Sequence, residues 1–441
     1  MKKSFIIQLL GLLFVFVGVL NAQTLTVTHS STGNMSSEIN TALTAAGKTA
    51  VEIDSLVVTG SAFLTYADCQ AIAATFVTDA LKTLDLSGAV FENNSTPDNV
   101  GNNGAFNVST AVPANDGMQV TKVILPEGLK EIGVRFLGKF RKLTNVYIPA
   151  SVEIIDVYAF VGCEKLVSLS LPVGLKTIRE YAFYQCNFLE ISALPASLTS
   201  LGQQAFYQTS VSVSSFPTGI TTILSNCFNP NVTTNLSRAK ITSLTLHEGI
   251  TNIGAKAFAT QKSLTSITVK RTTPPTTAAD AFDGITLGNI NLYVPVGSIS
   301  NYSAAPWSSM IIHEIEPPTL TVTHTTAGDL ANEINTALGA TSAADVAKLI
   351  ITGTAYVTYA DCQAIATIFP TATLQTLDLS AAAFENNATP VAAGNLGAFN
   401  INADAQGLQV AEVKLPSDLI TIGSRFFRRF RKLTTIVLPE T

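Results

Sequence analysis

The chain has 441 residues, 47% of them hydrophobic and 13% charged, and a net charge of −5. That length holds about three domains; the apolar share supports packed cores and excludes a disordered chain, and so small a net charge argues against nucleic acid as a partner. Ser and Thr carry most of the polarity, which fits β-rich structure with outward hydroxyls better than helices surfaced with Glu, Lys and Arg.

The first element is a processing signal. Lys2 and Lys3 precede an apolar run from Phe5 to Leu20, interrupted by Gln8, and Asn21-Ala22-Gln23 offers a small residue for cleavage after Ala22. This pattern predicts a secretory signal peptide over residues 1–22. The run is 16 residues long, short of the roughly 20 that a membrane span needs. No basic stop follows it, no Cys sits beside it to carry a lipid, and no later stretch is apolar enough to cross a membrane. The mature chain is therefore expected to be exported, to the cell surface or beyond, with the periplasm as the alternative.

Residues 23–121 read as an α/β segment. Ser36 to Ala46 predicts a short helix, Leu56 to Thr59 a strand, Tyr66 to Phe76 a helix, and Leu81 to Leu86 a strand; Asn93 to Asn103 is loop-like.

From residue 122 the text becomes periodic. Leu125-Pro126, Ile148-Pro149, Leu171-Pro172 and Leu194-Pro195 recur every 23 residues, and Phe216-Pro217 follows after 22. A second mark, a core Phe usually preceded by Ala, falls at Phe136, Phe160, Phe183, Phe206, Phe228, Phe258 and Phe282. A fixed period of this length marks a solenoid, whose units cannot bury a core alone and must stack. In one rung, Leu143, Val146 and Ile148 point inward from a short strand that Pro149 ends, since proline cannot donate to a ladder. Val152, Ile154 and Ile155 predict a second extended piece, and Asp156 to Phe160 a tight helical turn that plugs Ala159 and Phe160 into the core. Leu166 to Leu171, Leu189 to Leu194, Val211 to Phe216 and Leu244 to Ile250 repeat the scheme, the last after a longer excursion around Asn229 to Arg238. The outward strand positions are Thr144, Asn145, Tyr147, Ser168, Ser170, Glu190, Ser212, Ser214, Thr265, Ser266 and Thr268. They form the candidate binding face, and equally read as the neutral solubilising side of a β ladder.

The sequence LPVGLKTIREYAFYQCNFL from Leu171 to Leu189 keeps Leu-Pro, Leu, Ile, Ala-Phe, Cys and Leu in one register. It resembles the BspA-type leucine-rich repeats of exported bacterial proteins. The resemblance covers residues 122–270 and restarts near 412. It implies a β-rich α/β leucine-rich repeat solenoid of short parallel strands and tight helical turns, with the strands on a concave side. Residues 23–121 then form an α/β N-terminal cap. Residues 271–316, carrying Thr272-Thr273-Pro274-Pro275, Ala281-Phe282, Val294-Pro295, Tyr302 and Trp307, are similar to the β-rich C-terminal cap that closes such arrays in gut and oral Bacteroidetes proteins. The resemblance also implies adhesin-like or host-matrix interaction.

The chain is duplicated. Leu25 to His29 returns as Leu320 to His324, TYADCQAIA at 65–73 as 358–366, TLDLS at 83–87 as 376–380, and FRKLT at 140–144 as 430–434. Pro317-Pro318 is a stiff linker. Residues 319–411 are a second N-terminal cap and 412–441 the beginning of a second array, which reads as truncated. Leu438-Pro439-Glu440-Thr441 resembles a sortase signal, but it aligns with Ile148-Pro149-Ala150-Ser151 and lacks the apolar span and basic tail; coincidence is the reading kept.

Little in the sequence carries chemistry. None of His29, His247, His313 and His324 has ligands at metal spacing, no nucleophile motif is present, and no carboxylate pair is nominated, so no enzyme and no cofactor are expected. Cys163 and Cys186 lie one period apart; they read as a ladder of buried thiols, with a cross-rung disulfide as the alternative. Cys227 takes the Ala slot before Phe228 and reads as core. Arg135, Lys139, Arg141 and Lys142, echoed by Arg425, Arg428, Arg429, Arg431 and Lys432, are either an anionic-ligand patch or the wet side of a turn whose core slot Phe136 fills. The expected function is a non-catalytic, protein-binding adhesion module. The alternatives are a structural spacer in a larger surface protein, favoured by the duplication, and a glycan-binding accessory, disfavoured by a face on which Tyr147 is the single aromatic.

Overall fold

The computed structural model describes residues 23–77, 80–98, 104–107, 117–232, 236–315, 319–339, 342–369, 374–392, 397–400 and 408–438. The signal segment, Pro317-Pro318 and the last three residues lie outside these. Two compact units divide at Glu314 and Ile315.

The first unit opens with β1 (Thr24–His29), α1 (Met35–Ala46), β2 (Ser55–Phe63), α2 (Tyr66–Thr75) and β3 (Thr83–Val90). Alternation sends Leu25, Val27 and His29 inward from β1, and Met35, Ile39 and Leu43 form one buried stripe on α1. Gly47 ends α1 in the left-handed conformation. Thr65 and Asp68 start α2 with a capping box. All four predicted elements are present, each within a few residues of its expected bounds.

The array adds β4 (Lys122–Ile124), β5 (Glu131–Ile132), β6 (Asn145–Tyr147), β7 (Ile154–Ile155), β8 (Thr177–Ile178), β9 (Ser200–Leu201), β10 (Thr222–Ile223), β11 (Ser243–Leu246), β12 (Asn252–Ile253), β13 (Ser266–Val269), β14 (Thr276–Thr277), β15 (Asn291–Val294) and β16 (Ile311–Glu314). All pair in parallel and fall into two lines. One runs β1-β2-β3-β4-β6 and resumes as β11-β13-β15-β16; the other runs β5-β7-β8-β9 and resumes as β10-β12-β14. Parallel neighbours one rung apart are what a solenoid requires. The ladder runs on through β15 and β16, so the stretch 271–316, expected as a closing cap, continues the strand line of the solenoid. Trp307 and Tyr302 end the core, Trp307 packing edge-on against Phe282.

Two expectations are corrected. The segments 166–171, 189–194 and 211–216 are not regular strands; isolated bridges, Ser168 with Glu190 and Ser215 with Thr245, stand in their place. The tight helical turns are not helical. Tyr158, Tyr181, Gln204, Asn226 and Lys256 all have φ between 53° and 58°, and Gln185, Gln208 and Thr260 repeat the positive value four residues on. Left-handed residues turn the peptide planes so that N–H groups point to the next rung. Phe160 N–H thus donates to Ala182 C=O, Phe183 to Ala205 and Phe206 to Cys227. This third column continues without interruption from Leu137, whose N–H bonds Ala159, to Phe258, whose N–H bonds Ala281.

Inside it the phenylalanines stack. Phe160–Phe183, Phe183–Phe206, Phe206–Phe228, Phe228–Phe258 and Phe258–Phe282 have centroid separations of 5.1, 5.4, 5.7, 5.7 and 5.7 Å. Phe136 is not in this stack. Its neighbour Leu137 makes the equivalent hydrogen bond, so Leu137 holds the Phe slot and Phe136 the Ala slot, packed edge-on against Phe91 and Phe106. Reading Phe136 as the periodic Phe placed that rung one residue out of register.

The second unit repeats the cap as β17 (Thr319–His324), α3 (Leu330–Leu338), β18 (Lys348–Tyr356), α4 (Tyr359–Ile368) and β19 (Thr376–Ala383), followed by β20 (Glu412–Lys414) and β21 (Thr435–Val437) in one five-stranded parallel sheet. Phe426, like Phe136, is buried edge-on against a neighbour, Phe399.

Candidate functional site

Two arrangements in the first unit stand out: a buried polar cluster in the cap and the outward face of the β1–β16 line.

In the cap, His29 sits at the end of β1 with Nδ1 2.6 Å from Glu38 Oε2 of α1 and Nε2 3.2 Å from the Phe63 carbonyl of β2. Asp68 Oδ2 lies 3.6 Å from Nε2. Asp68 also accepts the N–H groups of Gly33 and Met35 and the Thr65 hydroxyl, tying the starts of α1 and α2 together. Gly60 is required opposite: its φ is +129°, and a Cβ would stand 2.1 Å from the His29 carbonyl oxygen. The second unit reproduces the cluster with His324, Glu333 and Asp361. Burial by itself would raise the four carboxyls. The hydrogen bonds from His29, Ser30, Thr65, Gly33 and Met35, and their counterparts, outweigh it and lower all four, Glu333 to about 2. A carboxylate lowered in the folded state stabilises the fold above its unfolded value near 4, and that stability is lost as the pH falls through the lowered folded value. Both caps are thus expected to lose stability as the pH falls below about 4, the loss from Glu333 in the second unit running down to about pH 2. Thermal melts across that window check this; a flat profile contradicts it, and Glu333→Gln should flatten the second unit's response in part.

The strand face is built from rung-to-rung pairing. Asn145 lies beside Lys122 and Tyr147 beside Ile124; Ser168 pairs with Glu190; Thr268 sits between Thr245 and Tyr293. Of the sequence-predicted residues, Thr144, Asn145, Tyr147, Ser168, Ser170, Glu190, Ser214 and Thr265 are exposed, while Ser212, Ser266 and Thr268 are half-buried. Two have another task. The Thr144 and Thr265 hydroxyls donate to the Thr121 and Thr242 carbonyls of the preceding rung, so they clasp rungs together. Tyr147 donates its hydroxyl to Glu127 at 2.6 Å, which pushes its pKa up.

Sequence reasoning missed Tyr293 and His313 on this face. They stack at 5.3 Å on β15 and β16, strands assigned to the cap and set aside. The alternation in Asn291 to Val294 was the available signal. It also missed the tyrosines on the turn column: Tyr158–Tyr181 and Tyr184–Tyr207 stack at 4.7 and 5.5 Å, each pair 23 residues apart.

The predicted basic cluster lies on the turns. Arg135 and Lys139 occupy left-handed slots, the Arg135 guanidinium lies 4.5 Å over the Tyr158 ring, and Arg141 pairs with Glu164 at 3.1 Å. Arg425 and Arg429 take the same slots in the second unit, and Arg428, Arg431 and Lys432 share that turn. Lys142 follows Arg141 on the exposed side.

A carboxylate pair, Glu131 and Asp156, does meet across rungs. Burial first, then the hydrogen bond with Asp156, raises Glu131, while Arg179 lies 3.3 Å from Asp156. Cys163 and Cys186 are buried free thiols that donate to the Leu137 and Phe160 carbonyls, and burial raises Cys227 well above its ordinary value.

Between the rungs 166–171 and 189–194 the face opens into a cleft of about 350 Å³, lined by Leu169 to Leu171, Val173 and Glu190 to Pro195. Among the described residues no group of three His, Cys, Asp or Glu is placed to hold a metal ion, and no helix is long and apolar enough to cross a membrane.

The model described as BspA type leucine rich repeat region matches six copies, over residues 114–235, 233–325 and 398–441. No curated protein matches. Among solved structures, a leucine rich repeat protein of T. pallidum is 18% identical with a TM-score of 0.30, covering 38% of this chain and 76% of that one. A leucine-rich repeat protein from Bacteroides ovatus is 16% identical with a TM-score of 0.27, and the alignment covers 73% of this chain and 62% of that one. A leucine rich cell surface protein from Faecalibacterium prausnitzii is 13% identical with a TM-score of 0.24, covering 89% and 78%.

Proposed function

This chain belongs to the BspA-type leucine-rich repeat family, and from that premise we propose that it is an exported, non-catalytic binding protein that presents its strand face to a protein partner. The observation that carries the reading is the face itself. Asn145, Tyr147, Ser168, Ser170, Glu190 and Ser214 are exposed on successive rungs, while the Phe stack behind them is buried. A solenoid makes such a surface by stacking, and exposed hydroxyls with a carboxylate and few aromatics suit polar contact with a protein. Export rests on the segment Lys2 to Ala22.

The duplicated cap, with its His–Glu–Asp cluster reproduced, favours a second reading as a spacer bead in a larger surface protein. Binding of the mature chain to immobilised extracellular matrix proteins and to a glycan array separates the two. Saturable protein binding that Tyr147→Ala or Glu190→Ala weakens about tenfold, about 1.4 kcal/mol, supports the proposal. Glycan binding alone overturns it in favour of an accessory role in polysaccharide capture, and no binding leaves the spacer. The basic turns, Arg135 to Lys142, are proposed to be solvated; heparin binding lost on Lys139→Glu would contradict this.

A further inference from the structure

The cleft between rungs 166–171 and 189–194 marks where the strand-face ladder comes apart. Glu190 N–H closes on the Val167 carbonyl at 2.8 Å. A parallel ladder would next join Ser192 N–H to the Leu169 carbonyl and Leu194 N–H to that of Leu171. Neither bond forms among the described residues, and the space between them is the cleft. Its walls therefore offer main-chain donors and acceptors as well as the apolar side chains of Leu169, Leu171, Val173, Ile191 and Leu194. Small residues, Ser170, Ser192 and Ala193, keep that main chain accessible. Val173 is 84% exposed, an unusual place for a valine.

One charge stands at the rim. Glu190 is exposed, and its ion pair is with Lys240, 3.7 Å away, itself half-exposed and carried by the excursion before Ile241. Arg238 of the same excursion donates to the Asn187 side chain at 2.7 Å, so the insertion reaches back and lays a lysine beside the cleft. A surface pair this open contributes little, and an incoming cation can displace Lys240 at small cost.

We infer that this cleft is the anchor point of the strand face and that it takes an extended protein segment bearing a cationic side chain next to an apolar one. The main chain of the segment hydrogen-bonds to the Leu169 carbonyl and the Ser192 N–H that the ladder leaves open, the apolar side chain enters between Leu171 and Leu194, and the cation replaces Lys240 at Glu190. The insertion thus sets specificity by holding the carboxylate's place in the free protein. This rests on the protein-binding reading above and narrows it to one cleft and one charge.

The test uses the mature full chain and two fluorescein-labelled heptapeptides, Ser-Lys-Leu-Ser-Lys-Leu-Ser and the same sequence with Glu for Lys, in fluorescence anisotropy. The Lys peptide is expected to bind about tenfold tighter than the Glu peptide. Glu190→Lys should reverse that preference, Lys240→Ala should strengthen Lys-peptide binding severalfold, and Val173→Ser, which removes apolar contact without adding charge, should weaken it severalfold. These positions are exposed, so unchanged melting temperatures confirm the fold in each variant. Equal binding of the two peptides, or none up to about 1 mM, overturns the inference, as does maltoheptaose occupying the same cleft. A matrix-protein interaction that Tyr147→Ala weakens and Glu190→Lys leaves intact would preserve the protein-binding reading while removing this one.

Discussion

Replacing Phe183 with alanine is expected to destabilise the first unit by about 3–5 kcal/mol, the usual cost of deleting a buried aromatic. Phe183 is fully buried and lies between Phe160 at 5.1 Å and Phe206 at 5.4 Å, nearly parallel to both. Each neighbouring ring loses one face. The cavity cannot close, because the turn column fixes the rungs through Phe160 N–H to Ala182 and Phe183 N–H to Ala205. In a stacked array, stability is the sum of rung and interface contributions, so a break at the middle should also reduce cooperativity. Urea unfolding followed by fluorescence and circular dichroism measures both quantities. Phe282→Ala serves as the comparison: it stacks on one ring, Phe258, and meets Trp307 only edge-on, so its cost should be smaller. Equal costs, or less than about 1 kcal/mol for Phe183→Ala, would show that the Phe stack does not hold the array together.

Asp68→Ala is expected to cost the first cap about 3 kcal/mol or more, since each buried donor left without its acceptor costs about 1–3 kcal/mol. The carboxylate is fully buried and accepts from Gly33, Met35 and Thr65, so its loss orphans two backbone donors and the cap of α2 together. His29 then keeps Glu38 but loses the second carboxylate. Asp361→Ala should do the same in the second unit, where Gly328 and Leu330 donate. Native-state hydrogen exchange reads each cap separately: faster exchange should be confined to β1, α1 and α2 in the first variant and to β17, α3 and α4 in the second. Exchange that rises evenly over the chain, or not at all, would contradict a local latch.

Much of this architecture was legible because it rests on local periodicity. The Leu-Pro and Ala-Phe marks locate each rung, since every rung must place the same side chains in the same shared core. The α/β cap was readable as a helix, a strand, a helix and a strand in order; the buried stripe of Met35, Ile39 and Leu43 and the Thr65–Asp68 box, seen in the structure, are what hold those helices in place. The rung at Phe136 was not, because two apolar residues in succession, Phe136 and Leu137, fit the Ala-Phe slot in either register. What decides between them is the hydrogen bond from Leu137 N–H to Ala159 on the next rung.

The candidate site was legible as a list of outward residues and not as a site. Alternation identifies Tyr147, Ser168 and Glu190 as facing out. It does not tell that Thr144 and Thr265 turn their hydroxyls back to clasp the preceding rung, or that Tyr293 and His313 continue the face through the cap. Lys240 lies 50 residues from Glu190 in sequence, and nothing local joins them.

The sequence by itself determined the solenoid, the duplication and the apolar side of every rung, because those follow from which residues recur and how far apart. Tertiary structure alone decided where the ladder between rungs closes and where it opens. The residues of rungs 166–171 and 189–194 alternate as well as those around them, yet their hydrogen bonds lapse after Glu190 while the turn column beside them stays whole. Whether two backbones pair depends on the spacing that every neighbouring contact imposes on them, and that spacing is not written in either strand.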